Sequence, residues 1–116
     1  MKLGHLHIHV RDRAAAETFY SSWLGMTVAW RRQHLTFMKD DGDFDLALMD
    51  DPTPQTMPAW FHFGFRLGSA AEVIALHARM SQSQVPLVRP LYQDESHMSF
   101  RCADPDGYAV EIYWEA

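Results

Sequence analysis

The sequence predicts an α+β fold of two βαβββ modules, each a curved mixed sheet with a helix on its convex side. Three observations predict it. Leu3 to Val10 alternates strictly, with His5, His7 and His9 on one face and Leu6, Ile8 and Val10 on the other, the period of a half-buried strand. Ala16, Phe19, Tyr20 and Trp23 then fall at i, i+3, i+4 and i+7, the spacing of one helix face. The pattern also repeats: an offset of 57 carries His5 to His62 and the helix stripe to Val73, Leu76, His77 and Met80, and an offset of 64 carries Phe44, Leu46 and Leu48 to Tyr108, Val110 and Ile112.

Each element has its own local signals. Asp12 is placed to cap the first helix and Gly25 to end it. Strand-like runs follow at about 27–32, 35–39 and 44–49, the last after the turn signal Asp41-Gly42. Pro52, Pro54 and Pro58 mark a linker over about 51–58. Trp60 to Leu67 reads as the first strand of the second module, with Phe61, Phe63 and Phe65 as core packing under the helices. Ser69 and Glu72 have the form of a capping box, opening the second helix. Runs near 87–92 and 97–103, the turn Asp104-Pro105-Asp106-Gly107 and a final strand at about 108–114 complete the repeat. One domain over 1–116 is expected, with module one at about 3–50 and module two at about 59–116.

Composition narrows the function classes. A chain of 116 residues buries roughly 65% of its unfolded surface, so it can build a core without disulfides, and Cys102 has no partner to pair with. A net charge of −5 opposes the basic surface that a nucleic-acid partner needs. No apolar run reaches the length of a membrane span and Met1 leads directly into a strand pattern. A cytoplasmic protein that binds neither membrane nor nucleic acid is expected. The apolar fraction of 47% excludes a disordered chain.

The chemistry lies in three residues. His5 and His62 take equivalent places on the first strand of each module, and Glu111 shares a face of the last strand with Ala109 and Tyr113. Two imidazoles and a carboxylate suit a borderline divalent ion. Three protein ligands leave coordination positions open, as catalytic metals require. The plain alternative for each residue is a solvated position on a half-exposed strand.

The runs Gly4-His5-Leu6-His7-Ile8-His9-Val10-Arg11-Asp12, Phe19-Tyr20 with Trp23-Leu24-Gly25-Met26, His62-Phe63-Gly64-Phe65 and Asp104-Pro105-Asp106-Gly107-Tyr108 with Glu111 resemble the vicinal oxygen chelate superfamily. This superfamily includes glyoxalase I, extradiol dioxygenases, fosfomycin-resistance transferases, methylmalonyl-CoA epimerases and bleomycin-binding proteins. The resemblance implies a glyoxalase/dioxygenase-like fold with His5, His62 and Glu111 on the metal-ligand positions. It also implies Fe(II) or Mn(II), with Zn, Ni or Co as substitutes, and a homodimer whose sites are shared between chains. Departures matter as well. The first-module position at which bacterial glyoxalase I carries a further Glu is Ala47 here, with Asp45 two residues away. Arg101 stands where extradiol dioxygenases and fosfomycin transferases carry a Tyr, ten residues before the metal Glu. The short tail ending at Ala116 lacks the basic residues of the fosfomycin enzymes.

Strand parity supplies the surrounding residues. Met98, Phe100 and Cys102 share the apolar face of their strand, so His97, Ser99 and Arg101 look toward the metal side. Arg101 is the expected anchor for an anionic substrate group, and His97 the expected acid or base. His7, Trp60, Ser99 and Tyr113 are expected to line the substrate pocket, with His9 nearer the rim. His34 and His77 read as structural, and Cys102 as an inert buried thiol. The expected function is a metal-dependent enzyme acting on a small organic substrate, with extradiol-type ring cleavage ahead of a glyoxalase-like lyase or isomerase and a thiol transferase. The competing class is a metal-free drug- or ligand-binding protein.

Overall fold

The computed structural model describes Met1–Ala116. Its elements run β1 (His5–Val10), α1 (Arg13–Leu24), β2 (Thr27–Arg31), β3 (Leu35–Lys39), β4 (Asp45–Asp50), β5 (His62–Arg66), α2 (Ala70–Gln82), β6 (Leu87–Gln93), β7 (His97–Ala103) and β8 (Ala109–Glu115). Two four-stranded mixed sheets result, ordered β1-β4-β3-β2 and β5-β8-β7-β6. The chain divides into two compact units, Met1–Thr56 and Met57–Ala116. Their boundary falls inside the proline-rich linker. No helix is long and apolar enough to cross a membrane.

Both units use the same local devices at the predicted offsets. Asp12 accepts from the Ala15 N–H and caps α1, which ends on left-handed Gly25 at φ 66°. Ser69 accepts from the Glu72 N–H and caps α2. The turn before β4 is built by Asp40 Oδ1, which accepts from the N–H groups of Gly42 and Phe44 at 2.8 and 3.3 Å. The turn before β8 is built 64 residues later by Asp104 Oδ1, which accepts from Asp106 and Tyr108, both at 2.9 Å. Because these turns match, the registers match: Phe37 pairs with Ala47 in the first sheet, and Arg101 with Glu111 in the second.

One face of each sheet is packed by its helix. In the first unit α1 packs on β4 and β2, and Ile8, Val10, Met38, Leu46 and Leu48 are buried together with Ala16, Phe19 and Tyr20 of the helix. In the second, Met98, Phe100, Cys102, Val110 and Ile112 meet Val73, Leu76 and Met80 of α2. His77 packs edge-on against Phe100 at 5.0 Å, in the structural role expected of it.

The first unit also buries polar atoms beneath its helix. Thr36, fully buried, donates to Glu17 Oε1 at 2.8 Å, and Arg13 Nη1 stands 3.3 Å from the same hydroxyl. Arg31 spans both oxygens of Glu17, Nε on Oε1 and Nη2 on Oε2, and the Arg31 bond, opposed by burial and aided by Thr36, holds this carboxyl below the usual carboxylate range.

Two expectations need correction. The first strand of the second unit is His62–Arg66, so Trp60 and Phe61 lie in the turn before it. Phe61, Phe63 and Phe65 form a half-buried row of rings 6.4 and 6.2 Å apart, not a closed core. The helix α2 rests on β7 and β8, so these rings of β5 and the turn before it lie at the margin of the packed face.

Candidate metal and anion site

The parallel pairing of β5 with β8 puts Gly64 opposite Glu111 and His62 opposite Ala109. All four point away from α2. His62 Nε2 lies 4.0 Å from Glu111 Oε2. The antiparallel pairing of β7 with β8 then sets Arg101 directly beside Glu111. Its Nε is 3.4 Å from Glu111 Oε1, and its Nη2 is 3.2 Å from His62 Nε2. The side chains of Arg101 and Glu111 are each 18% exposed and that of His62 is 33% exposed.

The imidazole's proton can be placed. His62 Nδ1 is 3.0 Å from the backbone carbonyl of Trp60. A carbonyl oxygen only accepts, so Nδ1 carries the hydrogen and Nε2 presents its lone pair to the Arg101 N–H. A backbone carbonyl that fixes the tautomer and the ring plane is the arrangement by which metal-ligating histidines are oriented. The donor set therefore fits a borderline divalent ion: a neutral imidazole with its lone pair directed at the site, beside a carboxylate. No third His, Cys, Asp or Glu side chain of the same unit joins this pair.

Gly64 and Tyr113 border the site. A Cβ on Gly64 would lie 3.1 Å from Tyr113 Cε1 and 3.3 Å from its Cδ1. Glycine is what allows the phenol ring to lie over this strand. Ser99, 3% exposed, pairs in register with Tyr113. His97 shares their face but pairs with Glu115, four residues along β7 from Arg101, or about 13 Å of strand. There it stacks near Tyr113, with ring centroids 6.3 Å apart. The structure thus brings together His62, Arg101 and Glu111 and leaves His97 at the far end of the strand. Trp60 contributes its backbone carbonyl, while the residue, 74% exposed, stands outside the strand.

In the first unit His5, His7 and His9 share the face of β1 turned away from α1. His5 pairs in register with Asp45, whose carboxylate takes Lys39 Nζ at 2.7 Å. Ala47, 1% exposed, pairs with His7 as Glu111 pairs with Gly64, so this unit has no carboxylate at the matching place. Phe37 stands where the second unit has Arg101, stacked on Trp30 at 4.2 Å. His7 and His9 meet edge-on at 5.2 Å, and His9 Nδ1 reaches Asp51 Oδ2 at 2.9 Å. That bond, with the Thr53 N–H, holds the Asp51 carboxyl below its usual range. His34 is an exposed residue 3.5 Å from Asp50.

Sequence reasoning missed Arg89, an exposed residue that is the register partner of Arg101 on β6. Irregularities on either side of Arg89 break the alternation that would have placed it.

Comparison with known proteins agrees with this architecture. The uncharacterized protein PA2024 of Pseudomonas aeruginosa is 32% identical over 121 residues, covering 95% of this chain and 86% of that protein. A Bacillus cereus structure described as a possible glyoxalase superposes with a TM-score of 0.84 at 27% identity, covering 97% of both chains. Lactoylglutathione lyase from Agrobacterium tumefaciens shares the fold, with a TM-score of 0.78 at 23% identity over 97% of this chain and 92% of that one. The sequence model of the Glyoxalase/Bleomycin resistance protein/Dioxygenase superfamily matches residues 2–112, and the chain belongs to that superfamily.

Proposed function

We propose that this chain is a divalent-metal-dependent enzyme that acts on a small organic substrate bearing two neighbouring oxygens, with extradiol-type ring cleavage as its reaction. The observation that carries the reading is the pair His62 Nε2 and Glu111 Oε2, 4.0 Å apart, with the imidazole tautomer fixed by the Trp60 carbonyl. The pattern of the superfamily adds His5 as third ligand, and a 2-His-1-carboxylate set favours Fe(II) or Mn(II). When bound, such an ion supplies Lewis-acid polarisation of the substrate oxygens. The chain's own residues do the rest. The Trp60 carbonyl keeps the lone pair of His62 on the site. Arg101 holds the anionic part of the substrate through its planar fork of N–H donors. Tyr113, seated over Gly64, provides an aromatic wall.

A second reading, a metal-free ligand-binding protein, is favoured by one observation: Arg101 already supplies a cation to both His62 and Glu111. Metal analysis of protein purified without oxygen separates the two. Wild type is expected to hold close to one iron or manganese per chain, His62→Ala and His5→Ala to lose it, and a catechol panel in air to give coloured ring-cleavage product. Metal without ring cleavage redirects the chemistry to glyoxalase-like isomerisation. Full metal content in His62→Ala would overturn the site assignment.

A further inference from the structure

His62 Nε2 has a single lone pair, and in this structure that lone pair receives the Arg101 Nη2 hydrogen at 3.2 Å. The same guanidinium sits 3.4 Å from Glu111 Oε1. Arginine stays protonated at all relevant pH, so this is a permanent cation tethered to the two groups that a divalent ion would use. A lone pair cannot serve both partners. Resting on the metal-dependent reading above, we propose that Arg101 is a built-in competitor of the metal. An ion binds more tightly once Arg101 swings off His62 and its guanidinium is taken up by an anionic ligand.

The surroundings favour capture of the released guanidinium by an anion. Arg101 pairs in register with the exposed Arg89, so a displaced Arg101 leaves two guanidinium groups on neighbouring strands. A carboxylate is the ligand chemistry that this pair recognises, through bidentate hydrogen bonds. Metal and carboxylate then bind with positive coupling, and the coupling is reciprocal because each relieves the same Arg101–His62 contact. The device would raise the ion's affinity when an acidic substrate is present.

The test is calorimetric titration of metal-free protein with Mn(II), with and without benzoate, a carboxylate that holds Mn(II) only weakly in solution. Arg101→Met removes the competing N–H groups. It is expected to bind Mn(II) at least about tenfold more tightly than wild type, a difference of about 1.4 kcal/mol. Benzoate is expected to tighten Mn(II) binding in wild type several-fold and to leave Arg101→Met unchanged. Arg101→Lys keeps a cation without the planar fork and is expected to fall between the two, which also guards against a folding defect in the methionine variant. Equal or weaker Mn(II) binding by both variants, with wild type binding the ion, would overturn the competition and leave the metal reading intact. Mn(II) binding by none of the three would overturn both.

Discussion

The contact between Arg101 and Glu111 gives a coupling energy that can be worked out before it is measured. At 3.4 Å, unit charges attract by about 1 kcal/mol in water and about 5 kcal/mol at an effective dielectric near 20. Both side chains are 18% exposed, which places the pair between these limits and well away from a fully solvated pair. Two terms reduce the gross value. Desolvation of both charges opposes their attraction, and the 3.4 Å separation is longer than the roughly 2.7–2.9 Å of a strong charge-assisted hydrogen bond. A net coupling of about 1–2 kcal/mol is therefore expected. The assay is a double-mutant cycle of Arg101→Met and Glu111→Gln in metal-free protein, read by urea unfolding. Glu111→Gln retains the shape of the side chain and an acceptor oxygen, so the cycle isolates the charge. A coupling below about 0.3 kcal/mol, the level at which independent sites already add, would refute the reasoning. Arg101 would then be a solvated neighbour of Glu111 and not its counter-ion.

Two further outcomes follow from buried groups elsewhere. Burial pushes the Cys102 thiol up to about 12, so the thiolate is about a thousandfold scarcer than for an ordinary thiol; a chromogenic disulfide reagent should label it only after unfolding, and labelling at the unfolded rate in native protein would contradict its burial. The ionised Glu17 contributes stability above its unfolded value, near 4.5, and that contribution is lost as pH falls through its lowered folded value. Thr36→Val removes one of its donors without opening a cavity, so it should cost about 1 kcal/mol at neutral pH, with the deficit shrinking in acid unfolding as pH falls through the lowered folded value of Glu17.

Much of this molecule was legible because it repeats itself. The offset of 64 held down to individual turn hydrogen bonds: Asp40 and Asp104 accept from the same two relative positions. Strand parity placed Arg101 on the face of Glu111, since side chains alternate strictly along an unbroken strand. Parity gives the face and not the distance, which is why His97 shares that face yet lies about 13 Å of strand away. What was illegible depended on neighbours distant in sequence. Alternation could not reveal which strands α2 would cover, so Phe61, Phe63 and Phe65 read as core and proved half-buried beside a helix that rests on β7 and β8. Nor could it reveal the Trp60 carbonyl behind His62, because the turn that supplies it begins just where the strand pattern was expected to run on.

The two units keep one backbone plan and reverse where they place polar groups. In the first, Glu17, Arg13 and Thr36 put hydrogen-bonded polarity between helix and sheet, and Phe37 and Ala47 leave the other sheet face apolar at its centre. In the second, Phe100 takes the register place of Thr36 and packs against His77, while Arg101 and Glu111 take the places of Phe37 and Ala47. A buried polar network stabilises only if all its members are satisfied, so each unit can carry one such network on one face at small cost. The reversal therefore puts the second unit's Arg101–Glu111 contact on the face turned away from its helix, where the first unit has Phe37 and Ala47, and it makes Arg101 and Glu111, rather than Phe37 and Ala47, the residues on which substitutions should act on binding.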